Sequence, residues 1–388
     1  MVDPDVVNVE QRLRDLLTDD HLAVRVPAGA VEAIHSGVRR RRRARFAGTA
    51  GLAFVAVAAT ALTGTALLHR GARLAPGQVT SETPGVWVPG SLTALPRTMA
   101  APAAIAASGG LVWVTGPATD TPGTDVLARV DAASRQVTSM STGVASDLAA
   151  TPLRLWVALR PGAADTQCAL QLRETTRGQI VSTFPLPCDA SGDVGPNVTA
   201  NGSHAWVAVD DGSATRLRLY TAGSSAPPVE RVLPGRLAGP HLLAIGGTSV
   251  YVVTRDDAAG TVLHQLSADR LRPLATISVP GARLMAYGND QLYVADASSV
   301  GAYPADLGGR RGFVSGYVRS LTTGAGVVWS DPAGTSFEGF DPHTGKVAGI
   351  TKVPVVPGGL LRADGAVLWA VASYRGFGVG LQSAEPAS

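Results

Sequence analysis

The chain has 388 residues, with 45 Gly, 26 Pro, 16% charged residues and only two Cys, a composition that fits many short strands joined by tight turns. Its formal net charge of +3 is local in origin. Residues 1–45 hold nine Arg against seven Asp and Glu, Arg70 adds one, and the remaining 23 basic and 23 acidic residues cancel, which argues against a nucleic-acid-binding surface.

In chain order, Val6, Val9, Leu13, Leu16 and Leu17 recur at helical spacing among charged residues and predict an amphipathic helix. A second helical segment follows Pro27 through Val31, Ile34 and Val38 into the arginines Arg39, Arg40, Arg41, Arg42, Arg43 and Arg45. A segment of 45 residues cannot bury a core unaided, so its apolar stripe calls for a partner, a dimer mate or the membrane surface. Residues 46–68 contain no charge and, as a helix, reach about 34 Å, enough to cross a bilayer. The arginines before this span place the N-terminus in the cytoplasm and everything after it outside, and they meet anionic headgroups. A cleaved signal peptide competes, but its charged region is too long and its apolar region exceeds the usual length of about 7 to 15 residues. Residues 42–46 also bear a loose likeness to a twin-arginine export signal. The predicted layout is therefore a cytoplasmic segment at 1–45, a transmembrane helix at 46–69, a linker at 70–85 and an extracytoplasmic domain at 86–388.

From residue 105 onward one phrase recurs seven times: a small or apolar run, a turn containing Gly, then a hydrophobic strand built on Trp113, Trp156, Trp206, Tyr251, Tyr293, Trp329 or Trp369. Spacings of about 36 to 50 residues call for one small sheet per repeat. The fold class is all-β, a seven-bladed propeller with four strands per blade. Fourth strands recur as STFPLP (182–187), ATISVP (275–280) and ITKVP (350–354), and the seventh repeat lacks one. Residues 91–96 have the missing form, so they are predicted to complete the last blade and close the ring.

Cys168 opens the third strand of the second repeat and Cys188 follows its fourth. Outside the membrane a disulfide between them is expected, worth roughly 3 kcal/mol.

Turns after the aromatic strands carry Asp120, Asp125, Asp165, Asp210, Asp211, Asp256, Asp257, Asp296 and Asp331. Turns between third and fourth strands carry Arg135, Arg177, Arg270, Arg272, Arg310, Arg311 and Lys346. In a four-stranded meander these sets point to opposite ends of the blade, predicting one acidic and one basic face. The acidic face suits a cationic ligand, Ca²⁺ or a basic partner surface; the competing reading is that Asp bonds its own turn. His241 and Arg283 precede inner strands and are placed to line the central channel. The other ectodomain histidines, His204, His264 and His343, are scattered, and no nucleophile elbow, metal-ligand spacing or phosphate loop is present. No catalytic residue and no bound cofactor is expected.

The phrases Asp131-Ala-Ala-Ser-Arg-Gln-Val and Asp341-Pro-His-Thr-Gly-Lys-Val resemble the Asp-Pro-x-Thr-Gly-Lys-Val phrase of the YVTN-type and quinoprotein-like propellers, a likeness extending over about residues 86–382. The N-terminal layout resembles that of actinobacterial single-pass membrane proteins, some of them similar to anti-sigma factors, without their zinc-binding His and Cys pattern. Lys346 and Lys352 stand against 31 Arg, which suits a high-GC genome. The patterned N-terminal segment and the lack of catalytic residues favour a non-enzymatic sensor or scaffold that binds a protein partner or envelope ligand outside and a cytoplasmic regulator, such as a sigma factor, inside. The alternative is an anchored lyase or hydrolase working through channel residues such as His241 and Arg283.

Overall fold

The computed structural model describes residues 85–162, 167–189, 194–324, 326–331, 337–351, 360–374 and 378–386, all within a compact unit spanning Thr80–Ser388. The predicted cytoplasmic segment, arginine run and apolar span lie outside the described residues. Among the described residues no helix is long and apolar enough to cross a membrane.

The described chain is a seven-bladed propeller of four-stranded antiparallel blades. Blade 1 comprises Ala104–Ser108, Leu111–Pro117, Asp125–Asp131 and Val137–Thr142. Blade 2 comprises Ala145–Ala150, Arg154–Leu159, Cys168–Glu174 and Ile180–Leu186, and blade 3 comprises Asn197–Asn201, His204–Asp210, Thr215–Thr221 and Val229–Leu233. Blade 4 holds Leu243–Gly246, Ser249–Asp256, Gly260–Ser267 and Pro273–Ser278, with Arg236–Leu237 added beside the end of its second strand. Blade 5 holds Leu284–Gly288, Gln291–Ala295, Ser299–Pro304 and Arg311–Ser315, and blade 6 holds Leu321–Gly324, Val327–Ser330, Phe337–Phe340 and Val347–Thr351. Blade 7 takes Leu361–Asp364, Val367–Tyr374 and Gly378–Pro386 from the C-terminus and Gly85–Ala94 from the N-terminus.

That last strand completes blade 7; it runs Gly85–Ala94, beginning six residues before the expected 91–96 and ending two residues short of its end. Leu92, Thr93 and Ala94 pair antiparallel with Gln382, Leu381 and Gly380. Its first residues extend further and pair in parallel with blade 6 through Gly85 to Gly349 and Val86 to Ile350, so one segment covers two blade edges that would otherwise stay open.

The inner strands touch their neighbours in succession all the way round, blade 7 meeting blade 1. Apolar packing follows the same logic. The core of the described residues divides into seven clusters, one in each interface between adjacent blades. Along each second strand the side chains alternate between the two flanking interfaces, and the aromatic always packs against the next blade. Trp113 joins the cluster with blade 2, Trp156 that with blade 3, and Trp369 that with blade 1. Trp206 and Tyr251 add a polar anchor, donating to the Ala268 and Ala305 carbonyls of the following blade at 2.8 and 2.7 Å. The aromatic period is therefore a packing period.

Candidate functional site

The inner strands enter the ring from one face, and the turns after the aromatic strands lie on that same face. A cavity of about 480 Å³ opens there, at the mouth of the channel. Its charged lining consists of Asp147 from blade 2, His241 from the entry to blade 4, Arg319 from the entry to blade 6 and Arg362 from blade 7, with Tyr287 of blade 5 beside them.

Inner-strand entries are where neighbouring blades come closest, and short polar side chains tie them together. The Asp125 carboxylate of blade 1 accepts the Ala145 N–H of blade 2 at 2.9 Å. Asp147 accepts from its neighbour Leu148 and, across the interface, from Val198 N–H of blade 3, each at 2.9 Å. Asn197 of blade 3 donates to the Gly239 carbonyl and accepts the His241 N–H on the approach to blade 4. His241 holds a left-handed φ of 58°, a conformation uncommon for a side-chain-bearing residue and fixed here by that bond. Its Nδ1 lies 3.6 Å from Asp147 Oδ1, within ion-pair range but beyond a good hydrogen bond. Gly246 ends its inner strand against the Tyr287 ring, where a Cβ would come within 2.2 Å of ring carbons.

Arg362 is half-buried. Desolvation pulls its pKa down, and the negative charge of Asp147 opposes that shift. Arg283, predicted to line the channel with His241, instead stands exposed with its guanidinium 4.4 Å over the Tyr317 ring and donates to the Tyr317 hydroxyl at 2.7 Å. Of the two predicted channel residues, His241 reaches the cavity. Asp147, Arg319 and Arg362 were not singled out by sequence reasoning. The signal available for Asp147 was a charge set inside an inner strand otherwise made of Ala, Ser and Leu.

Of the predicted acidic residues, Asp210, Asp256 and Asp257 line one cavity of about 670 Å³ together with Asp189, Arg236 and Arg255, and the set as a whole does not converge on a single site. Asp211 accepts from Ser213 N–H, the Ser213 hydroxyl and Ala214 N–H at 2.8 to 3.0 Å and pairs with Arg216 at 2.6 Å. Desolvation would lift its carboxyl, but these donors outweigh it and hold the group far below the usual range. Asp256 closes its own turn by accepting the Ala258 and Ala259 N–H groups. Asp296 does the same with Ser298 and Ser299 and also meets Arg310 at 3.4 Å. Arg310 starts from the opposite end of blade 5 and reaches back across Gly301, where a Cβ would lie 2.4 Å from its Nε. Asp210 is buried and pairs with Arg236, which also contacts Asp189. Asp125 and Asp331 are buried as well, whereas Asp120 and Asp257 are exposed and Asp165 lies outside the described residues. Among the described residues no group of three or more His, Cys, Asp or Glu is placed to hold a metal ion.

The two phrases resembling YVTN-type repeats have a plain structural job. The Asp131 carboxylate accepts from Ala133 N–H, Ser134 N–H and the Ser134 hydroxyl. Asp341 repeats this with His343 N–H, Thr344 N–H and the Thr344 hydroxyl. Both phrases shape the turn between third and fourth strands. Cys168 and Cys188 form the expected disulfide, with Cα atoms 5.8 Å apart.

No protein-family profile and no curated protein matches the chain. Among solved structures, the chain is similar to BamB from Moraxella catarrhalis at 11% identity, over 74% of this chain and 86% of that one, with a TM-score of 0.46. It is similar to the computationally designed Ika8 protein at 12% identity, over 75% of this chain and 99% of that one, with a TM-score of 0.47. At this distance the seven-bladed architecture rests on the chain's own strand pairing.

Proposed function

We propose that the chain is a membrane-anchored, extracytoplasmic, non-enzymatic binding propeller. It takes a protein partner or envelope ligand at the channel-mouth face and couples it, through the apolar span at 46–68, to the cytoplasmic segment. The carrying observation is the state of Asp147, the one carboxylate lining the channel mouth among the described residues, which accepts backbone N–H groups of two blades. A general base needs a lone pair aimed at substrate, and this carboxylate holds the ring together instead. A lyase or hydrolase using His241 and Arg283 has less support, because Arg283 is engaged on Tyr317.

The arginine run and uncharged span support the single-pass topology with a cytoplasmic N-terminus. The Asp131 and Asp341 turns support a place among YVTN-type, quinoprotein-like propellers, and the Arg-rich, Lys-poor composition supports an actinobacterial origin. A patterned cytoplasmic helix supports an output through a regulator such as a sigma factor. The test compares proteins recovered with the full chain and with a residue 39–388 truncation from cross-linked native membranes. Recovery of a sigma factor or similar regulator by the full chain alone is the expected result; identical recovery would reduce residues 1–38 to a tether.

A further inference from the structure

We infer that the channel mouth is an anion site, which takes the carboxylate or phosphate group of a small ligand. This rests on the reading of the channel-mouth face as the binding face and gives it a ligand chemistry. Arg319 and Arg362, from adjacent blades, line the cavity with one carboxylate, Asp147, among the described residues. That carboxylate already accepts the Leu148 and Val198 N–H groups, and His241 Nδ1 lies 3.6 Å from it. Two guanidiniums against one carboxylate leave the charged lining net positive, and the cleft focuses that field toward an incoming anion.

Arg362 is the more telling of the two. A guanidinium half-withdrawn from water is normally paired or hydrogen-bonded, because its desolvation costs free energy unless it is compensated. Yet the Arg362 guanidinium makes no hydrogen bond among the described residues, and only the longer-range charge of Asp147 acts on it. Its five N–H donors form a planar fork that matches two oxygens of a carboxylate or phosphate. Ile105, Leu243, Met285, Leu321 and Leu361 also border the cavity, each largely buried in an interface between blades. A cavity of about 480 Å³ lies within the range of small-molecule sites. Arginines from two adjacent blades at one mostly polar cavity suit an oxyanion group, whether carboxylate or phosphate.

The test titrates full-length protein in a zwitterionic detergent with inorganic phosphate, succinate and uncharged succinamide by calorimetry. Phosphate, succinate or both should bind with a dissociation constant below about 1 mM and weaken as salt rises, while succinamide should not bind. Binding of phosphate alone assigns a phosphorylated ligand, and binding of succinate alone assigns a carboxylic acid. Arg362→Met should weaken the bound anion about tenfold or more, as expected for loss of a charged hydrogen bond, with partial recovery in Arg362→Lys. Arg319 is exposed, so Arg319→Met keeps the fold and should weaken binding by a smaller factor even if Arg362→Met fails to fold. Failure of both anions to bind the unmodified protein, or binding that Arg319→Met and Arg362→Met leave unchanged, would overturn the site. If neither anion binds while the full chain still recovers its regulator from membranes, the anion site falls and the binding-propeller reading stands. Anion binding with no regulator recovered supports the site and removes the cytoplasmic output.

Discussion

The Arg135 guanidinium of blade 1 donates to the Ser383 hydroxyl of blade 7 at 2.9 Å and lies 5.1 Å over the Trp369 ring, joining residues 248 apart in sequence. This contact sits on the seam where the first and last blades meet, next to the N-terminal closure strand. Arg135→Ala is expected to lower stability by about 1–2 kcal/mol through loss of a charged hydrogen bond and a cation–π contact. A double-mutant cycle with Ser383→Ala, read by urea unfolding, should recover most of that as coupling. Gly90→Ala tests the same seam from the other strand, because its Cβ would fall 2.3 Å from Ser383 Oγ. If Arg135→Ala costs under about 0.5 kcal/mol, the level of an ordinary surface substitution, the seam is held by strand pairing alone.

Asp147 is expected to be the costliest single polar side chain to remove at the channel mouth. Asp147→Ala leaves the Val198 N–H without its acceptor, across an interface between blades. The expected loss is about 1–3 kcal/mol, the desolvation cost of an orphaned buried group. Asp147→Asn keeps one acceptor oxygen and should lose less, although it also removes the charge facing Arg362. Equal losses for Ala and Asn in chemical unfolding would show that the carboxylate's geometry is not what joins the blades.

Much of the fold was present in the spacing of a few residues, while the site was not. Trp113, Trp156, Trp329 and Trp369 announce the blades because each fills the same place against the next blade, and an identical packing demand produces an identical sequence phrase. The closure at 91–96 could be inferred because the seventh repeat lacked a strand and only one segment had its form. Arg362 gave no such signal: a run of Leu, Leu, Arg and Ala reads as a strand, but which side faces a channel is set by all seven blades together. Asp211 and Asp296 show a second limit, since the same residue type closes a turn or binds a cation, and only the positions of Ser213, Arg216, Ser298 and Arg310 decide between these roles. Arg310 also blurs the expected division into acidic and basic faces by reaching across Gly301 to the far end of its blade.

The disulfide is expected to stabilise one side of the ring. It closes a sequence separation of 20 residues in blade 2, worth about 3 kcal/mol by loop entropy. Cys188 directly precedes Asp189, whose N–H donates to the Asp210 carbonyl of blade 3 and whose carboxylate contacts Arg236 beside blade 4. Replacing both cysteines by Ala should lower the unfolding free energy by that amount and raise amide exchange at Asp189 before the rest of blade 2. Unchanged melting after full reduction, verified by mass, would place the stabilisation elsewhere.

His264 is expected to make stability fall on mild acidification. It is buried on the third strand of blade 4, with Nε2 2.9 Å from the buried Thr254 hydroxyl. Burial pushes its pKa down, so the folded protein keeps the ring neutral where the unfolded chain would protonate it. The unfolded state then binds more protons between the lowered folded value and the unfolded value of about 6.5, and stability rises with pH across that window. The contribution is complete above the unfolded pKa and is lost as pH falls toward the folded one. Melting temperatures measured between about pH 7.5 and pH 5 should therefore drop with acidification, and His264→Gln, which keeps a polar partner for Thr254, should flatten the slope. Parallel slopes for the two proteins would assign the pH dependence to other groups.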